Sequence, residues 1–308
     1  MEIIYGLENL PPLTKRTVLT VGNFDGVHLG HQKILNIVSS QAKNLNSFSL
    51  VVTFSPHPEK FLGKRPIKMI QTLNQRLEAI SKFNIDKTIV TRLDQKTLSL
   101  TAEEFIKKIL VNKLKIREIY IGHNFHFGRN RQGNIKTLYQ MGKDLDFRAF
   151  SIPLVKQNGT KVSSSLIRNL LIKGEIEKAN LFLGRPYSIK GEVILGHSRG
   201  KDLGFPTANL NPENEILPQG VFITLVTLAG KDYKSLTNIG YCPTFGQKIL
   251  NVEVHILDFY QEIYGEKLII NFLKRIRAEK KFNRPKDLSA QIKLDIKLAQ
   301  NFFSKEFK

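Results

Sequence analysis

The chain has 308 residues, 41% of them hydrophobic, one cysteine, and 47 Lys+Arg against 27 Asp+Glu, a formal charge of +20. That length points to two domains, and a lone Cys242 excludes an intramolecular disulfide and fits a reducing compartment. No apolar run reaches the ~18 residues of a membrane span, and the first residues lack a basic start followed by an apolar stretch, so a soluble, cytoplasmic protein without a signal peptide is expected.

The positive excess is uneven, +15 over residues 1–185 and +5 over residues 186–308. It is densest at Lys107–Lys108 and Arg129–Arg131, and no basic stripe interleaved with aromatics accompanies it. A Lys-rich solvated surface explains such a pattern. Attraction of polyanionic small substrates and nucleic-acid binding both stay open on charge alone.

In chain order, RTVLTVGNF reads as a short apolar strand, HQKILNIVSSQAKN as a helix and FSLVVTFSP as a second strand. KTIVTRL is a third strand, TAEEFIKKILVNKL a helix opened by a Thr101-x-x-Glu104 capping box, and IREIYIG a further strand. Nearly continuous apolar strands alternating with helices predict a parallel sheet covered on both faces, an α/β domain of doubly wound type. Helical residues then lead to Gly184-Arg185-Pro186, where a boundary is expected, giving domains 1–184 and 185–308. Beyond it, YSIKGEVILG, GVFITLVTLAG, SLTNIGY, NVEVHILDF and EKLIINFLKRI are separated by Gly, Pro and Asn turns. That spacing predicts an antiparallel barrel or sandwich, closed by an amphipathic helix over DLSAQIKLDIKLAQNFFSKE.

The segment NFDGVHLGHQKIL, residues 23–35, places His28 and His31 three apart between the first strand and a helix. A zinc site would need a third ligand, and only His57 of SPHPEK could join; no zinc is expected. The position favours phosphate: ligands settle at the carboxyl ends of strands in open α/β sheets. There a helix start offers N–H groups and a positive dipole end. Gly26 and Gly30 let backbone approach a ligand closely. Neither a P-loop nor a G-x-G-x-x-G fingerprint occurs in the chain.

GNFDGVHLGH resembles the strand–loop–helix signature of the His-x-Gly-His nucleotidyltransferases, in the form found in prokaryotic bifunctional riboflavin kinase/FMN adenylyltransferases. VSSSLIR, residues 162–168, resembles that superfamily's second motif, with Ser165 where Thr is more frequent; a Ser-rich start also suits simple helix capping. The resemblance implies a Rossmann-like domain that transfers AMP from ATP to FMN, giving FAD and pyrophosphate. His28 and His31 would then act on the ATP phosphates, supported by Asn23, Asp25, Gly26, Gly30, Ser163, Ser164 and Arg168. GHNFHFGRNRQGN resembles the family's flavin loop and implies flavin contacts from Asn124, Phe125 and Phe127; Asn124 and His126 depart from the usual Asp and Arg.

GEVILGHSRGKDLGFPTANL, residues 191–210, is the more specific match and resembles the riboflavin kinase signature. Gly196, Gly200 and Gly204 would keep a covering loop free of side chains. Pro206 stiffens the approach, and Thr207 and Asn209 offer neutral oxygens suited to Mg²⁺. Lys201 stands where the family often has Arg. In NVEVHILDF, alternation puts Val252, Val254 and Ile256 on one strand face and Glu253 with His255 on the other. The resemblance makes Glu253 the base for the riboflavin 5′-hydroxyl. It implies ATP as co-substrate, Mg²⁺ as cofactor, and riboflavin, FMN and FAD as partners, with no membrane or nucleic acid and self-association left open. An enzyme with only the kinase step active, and a basic nucleic-acid-binding protein, are the alternatives.

Overall fold

The computed structural model of the chain describes residues 1–61, 63, 66–92, 94–196, 204–244, 247–282 and 284–306, with backbone alone at 61, 96, 242–244 and 247–249. These form two compact units, residues 1–67 with 73–163, and residues 68–72 with 164–308.

The first unit runs β1 (Glu2–Tyr5), β2 (Thr17–Val21), α1 (Leu29–Asn44), β3 (Phe48–Phe54), α2 (Pro58–Phe61), α3 (Leu73–Ser81), β4 (Lys87–Thr91), α4 (Gln95–Ser99) and α5 (Ala102–Glu104). It continues through β5 (Ile116–Gly122), α6 (Ile135–Asp144), β6 (Arg148–Ile152) and a small hairpin, β7 (Lys156–Gln157) and β8 (Thr160–Lys161). Six strands form one sheet in the order β1-β4-β3-β2-β5-β6, with every pairing parallel. All five residues of β2 and the middle five of β3 are buried, as a sheet covered on both faces requires. Successive side chains go to opposite faces. Leu19, Leu50 and Ile119 join Ile106, Leu110 and Leu138 on one, while Val18, Val51 and Tyr120 join Leu35, Val38 and Ile80 on the other.

The Thr101 capping box forms in both directions: Glu104 N donates to Thr101 Oγ1 at 3.1 Å, and Thr101 N to Glu104 Oε2 at 3.0 Å. Past it the helix widens into a π-helical stretch, Phe105–Lys113, which a 3.6-residue periodicity does not announce.

In the second unit, α7 (Ser164–Ile172) and α8 (Ile176–Leu183) precede the strands. Gly184 ends α8 in the left-handed region, φ 69°, its N–H donating to Asn180 O. Asn180 in turn accepts from Tyr187 N at 2.7 Å and donates to Phe272 O at 2.8 Å, pinning the helices to the strands.

Strands β9 (Tyr187–Ile194), β10 (Ala208–Pro212), β11 (Gly220–Leu228), β12 (Lys231–Thr244), β13 (Gln247–Ile256) and β14 (Lys267–Arg277) close into an antiparallel barrel in the order β10-β13-β12-β11-β14-β9. The barrel, not the sandwich, is therefore the all-β arrangement. Phe222, Val226, Val252, Val254, Ile270 and Phe272 are buried almost completely. The buried Thr224 hydroxyl meets those of Ser235 and Thr237 at 2.8 Å each, so these polar groups are satisfied. The terminal helix α9 (Pro285–Glu306) lays Ala299 and Phe303 over Ile223, Leu236 and Leu257.

Candidate active sites

In the first unit the chain leaves β2 through a tight turn that carries three left-handed residues, Phe24 (φ 50°), Gly26 (φ 84°) and Val27 (φ 38°). For Phe24 and Val27 this conformation costs about 1–2 kcal/mol each. Burial holds them there, with Phe24 2% and Val27 0% exposed. The turn delivers His28 to the N-cap of α1, where its Nδ1 accepts the backbone N–H of His31 at 3.3 Å. The two imidazoles stack, centroids 3.7 Å apart at 13°, and Phe24 packs on His31 at 5.1 Å. A side chain at position 30 would press on the His28 ring, with Cβ 3.1 Å from Cε1. Gly30 therefore makes room for the stack. Because Nδ1 of His28 is an acceptor, the proton of its neutral ring sits on Nε2.

Asn23 is held on both its ends. Its carbonyl accepts from Arg76 Nη1 at 2.6 Å and from Thr53 Oγ1 at 3.2 Å, and its side-chain amide meets His57 Nε2 at 2.9 Å. Arg76 also donates to Phe54 O at 3.0 Å. Arg76 and Asp25 are both almost fully buried; burial lowers the guanidinium below its ordinary value, and the charge of Asp25 opposes that shift. Asp25 thus serves as a counter-charge under the turn. The part played by Arg76 was not visible in the sequence, where LNQRLEAIS shows only a helix with one cation. Among the described residues no group of three or more His, Cys, Asp or Glu stands close enough to hold a metal ion.

Of the second motif, Ser163 closes the first unit, while Ser164 and Arg168 belong to the second, on the first turns of α7. After β5, Asn124 and His126 are exposed, Phe125 is half-buried, and Phe127 is 7% exposed within the core. The Phe127 ring packs on Phe125 at 5.7 Å and on Phe105 at 5.4 Å. Phe127 holds the loop down, with the half-buried Phe125 packed against the same core.

In the barrel, β10 starts inside GFPTANL, a segment that reads in sequence as a glycine-rich loop; Thr207 is exposed just before it and Asn209 is nearly buried within it. Asn209 lies directly across from Glu253 on β13, and Glu253 directly across from Asn238 on β12. This row lies on the outer face of the barrel, since Val252 and Val254 on either side of Glu253 are buried. Asn251, two residues before Glu253, shares the face: its Nδ2 donates to Glu253 Oε1 and to Asn209 Oδ1 at 3.0 Å each. Asn238 Nδ2 stands 3.5 Å from Glu253 Oε2. His255 Nδ1 bonds the carbonyl of Pro206 at 2.8 Å, and its ring meets Phe205 edge-on. Gly196 passes so close to Asn209 that a Cβ there would lie 1.9 Å from its Nδ2. Gly204 takes a positive φ of 83°, and among the described residues nothing lies within 4 Å of where its Cβ would stand. Gly200 and Lys201 lie outside the described residues. Strand alternation, applied one step further, brings out Asn251 as well.

The model of the FAD synthetase family matches residues 10–166, and that of the riboflavin kinase family matches residues 183–303. The chain is 36% identical to the bifunctional riboflavin kinase/FMN adenylyltransferase of Buchnera aphidicola subsp. Schizaphis graminum, over 99% of both chains. It is 38% identical to the enzyme of the same name from Bacillus subtilis, over 94% of this chain and 93% of the relative. A crystal structure described as a macrolide-efflux protein from Streptococcus pneumoniae superposes with a TM-score of 0.89 at 26% identity, covering 98% of this chain and 99% of the other. Among the described residues of the present chain no helix is long and apolar enough to cross a membrane. With both halves matched in order and relatives aligned over nearly the full length, the chain belongs to the family of bifunctional riboflavin kinase/FMN adenylyltransferases.

Proposed function

We propose that the chain makes FAD from riboflavin in two ATP-dependent steps in the cytoplasm. Residues 185–308 phosphorylate riboflavin to FMN, and residues 1–184 adenylylate FMN with release of pyrophosphate. The observation that carries this reading is the contrast between the two sites. The barrel sets one half-buried carboxylate, Glu253, in register with Asn209. The α/β unit offers a stacked imidazole pair at a strand end and keeps its nearby Asp25 buried in the turn, where its charge acts on Arg76.

The two chemistries ask for that difference. A neutral 5′-hydroxyl has a proton to lose as it attacks the γ-phosphate, and Glu253 accepts it. The FMN phosphate is already largely dianionic near neutral pH, with a second pKa of about 6, so its attack on the α-phosphate needs alignment and charge stabilisation instead. His28 and His31, at the positive end of α1, supply it, with Asn23, Gly26 and Gly30 shaping the turn and Ser163, Ser164 and Arg168 added from the second motif. Asn124 and Phe125 take the flavin side, over a loop that Phe127 anchors. Gly196, Gly204 and Pro206 lie on the approach to the kinase site, and the resemblance adds Gly200 and Lys201 to its ATP and flavin contacts. The Thr207 hydroxyl and the Asn209 amide oxygen are neutral oxygen donors of the kind Mg²⁺ takes beside phosphates and water. When bound, the ion neutralises charge on the transferring phosphoryl group.

The test is to incubate the chain with riboflavin, ATP and Mg²⁺ and to resolve the flavins by chromatography over time. FMN should rise first and FAD follow, with pyrophosphate. FMN that accumulates without FAD would defeat the two-step reading, and unchanged riboflavin would defeat the kinase assignment.

A further inference from the structure

We infer that Asn251 is the positioning residue of the kinase site, a bracket that holds Glu253 and Asn209 in one arrangement. The inference rests on the reading of Glu253 as the base. Strand β13 runs between β10 and β12 and turns Asn251, Glu253 and His255 outward in succession. A side-chain amide has two N–H hydrogens, and Asn251 has two acceptors for them, Glu253 Oε1 and Asn209 Oδ1, both at 3.0 Å. The other hold on the carboxylate, from Asn238, is at 3.5 Å, the outer limit of a hydrogen bond.

A half-buried glutamate on a strand surface otherwise has three side-chain torsions to fix, at a cost in rotamer entropy. A base must also reach its proton within about 3 Å, and a displacement near 1 Å costs about 10²-fold. Asn251 meets both demands by tying the carboxylate to the neighbouring strand. His255 fixes the other end of the same segment through Pro206 O, so that Thr207 and Asn209 are presented between two anchors on one strand.

The experiment uses the full chain with Asn251→Ala, and Asn251→Asp, which keeps the shape but replaces the donor with an acceptor. Both should lower kcat for riboflavin phosphorylation by about 10–10²-fold, with KM for riboflavin and for ATP within about threefold. FMN adenylylation in the same samples should be unchanged, which reports on protein quality. In a Glu253→Gln background, adding Asn251→Ala should change kcat by less than about twofold, because groups that act as a unit are not additive. Singles within about twofold of the parent, or losses that multiply in the double variant, would overturn the positioning role. A Glu253→Gln variant with full phosphorylation would instead remove the base reading, and the positioning role with it. If Asn251→Ala lowers the melting temperature of the chain, the isosteric Asn251→Asp decides.

Discussion

The imidazole of His28 caps the helix that carries His31 and stacks against the His31 ring, Nδ1 accepting the His31 N–H at 3.3 Å with the centroids 3.7 Å apart. One side chain thus ends a strand turn, starts a helix and presents an Nε2 proton. The two roles can be separated. Asn is among the favoured N-cap residues, so His28→Asn keeps a cap acceptor, an amide oxygen in place of Nδ1, but removes the ring. We expect its melting temperature to stay within about 2 °C of the parent while FAD formation falls by about 10²–10³-fold, the loss typical of one transition-state donor. His31→Ala should lower FAD formation comparably, and FMN formation from riboflavin should survive in both. Equal losses in the two steps would break the assignment of the pair to adenylyl transfer.

Arg76 is the other pillar of that turn, 3% exposed and bonded to Asn23 O and Phe54 O. Removing one member of a buried charge pair leaves the other uncompensated, at about 3–5 kcal/mol. Arg76→Met should therefore lower the unfolding free energy of the α/β unit by about 3–5 kcal/mol, read as a lower urea midpoint. Because Asp25 is the stranded charge, Asp25→Asn added to Arg76→Met should recover part of the loss. Purely additive destabilisation in urea melts would mean that the two charges are not coupled.

The parallel sheet of the first unit and the antiparallel strands of the second were legible because their signals are periodic and local: continuous apolar runs in β2 and β3, alternation in β13, a capping box at Thr101. Three things were not. The stretch Ala208–Pro212 carries Pro, Asn and Gly neighbours that read as loop, yet barrel closure with β9 and β13 makes it a strand, a tertiary effect that overrides propensity. Phe127, which the resemblance places in the flavin loop, is buried against Phe105 and Phe125, and the packing on Phe105, 22 residues back, is not announced by the loop's own sequence. Arg76 acts through Asn23, 53 residues away on another element, and a single sequence does not announce such a pair; alternation puts Asn251 on the face of Glu253 but does not announce its bond to Asn209, 42 residues away.

Gly196 makes a sharper test of the barrel site than the glycines of open loops. A methyl group there would meet the Asn209 amide at 1.9 Å, and Asn209 cannot swing away without leaving Asn251. Gly196→Ala should cut riboflavin phosphorylation by about tenfold or more through displaced Asn209, while adenylylation of supplied FMN stays at the parent rate. Gly204→Ala, at φ 83° with no described residue within 4 Å of the added methyl, acts by backbone strain of about 1–2 kcal/mol instead. The assay that separates them is phosphorylation against temperature: the first variant is impaired throughout, the second chiefly near its melting point.

The capping box gives a pH-dependent test outside both sites. The hydrogen bond from Lys108, at 2.8 Å, is the largest influence on the Glu104 carboxyl, followed by the Thr101 N–H and the Lys108 charge, and together they lower it from 4.5 to about 2. A carboxylate depressed in the folded state binds fewer protons there than when unfolded. Its stabilising contribution is therefore complete above about 4.5 and is lost as pH falls towards 2. Glutamine has the shape of the carboxylate but not its charge, and so stands in for the protonated acid. The gap in melting temperature between the parent and Glu104→Gln should be widest above about pH 5, narrow through the acid range and close near pH 2. Since both side chains are largely exposed, added salt should shrink the gap as well. A carboxyl NMR titration supplies the direct check, because Lys108→Met removes the first-ranked influence and should move the Glu104 midpoint upward. A midpoint that does not move would place the depression in the Thr101 N–H alone.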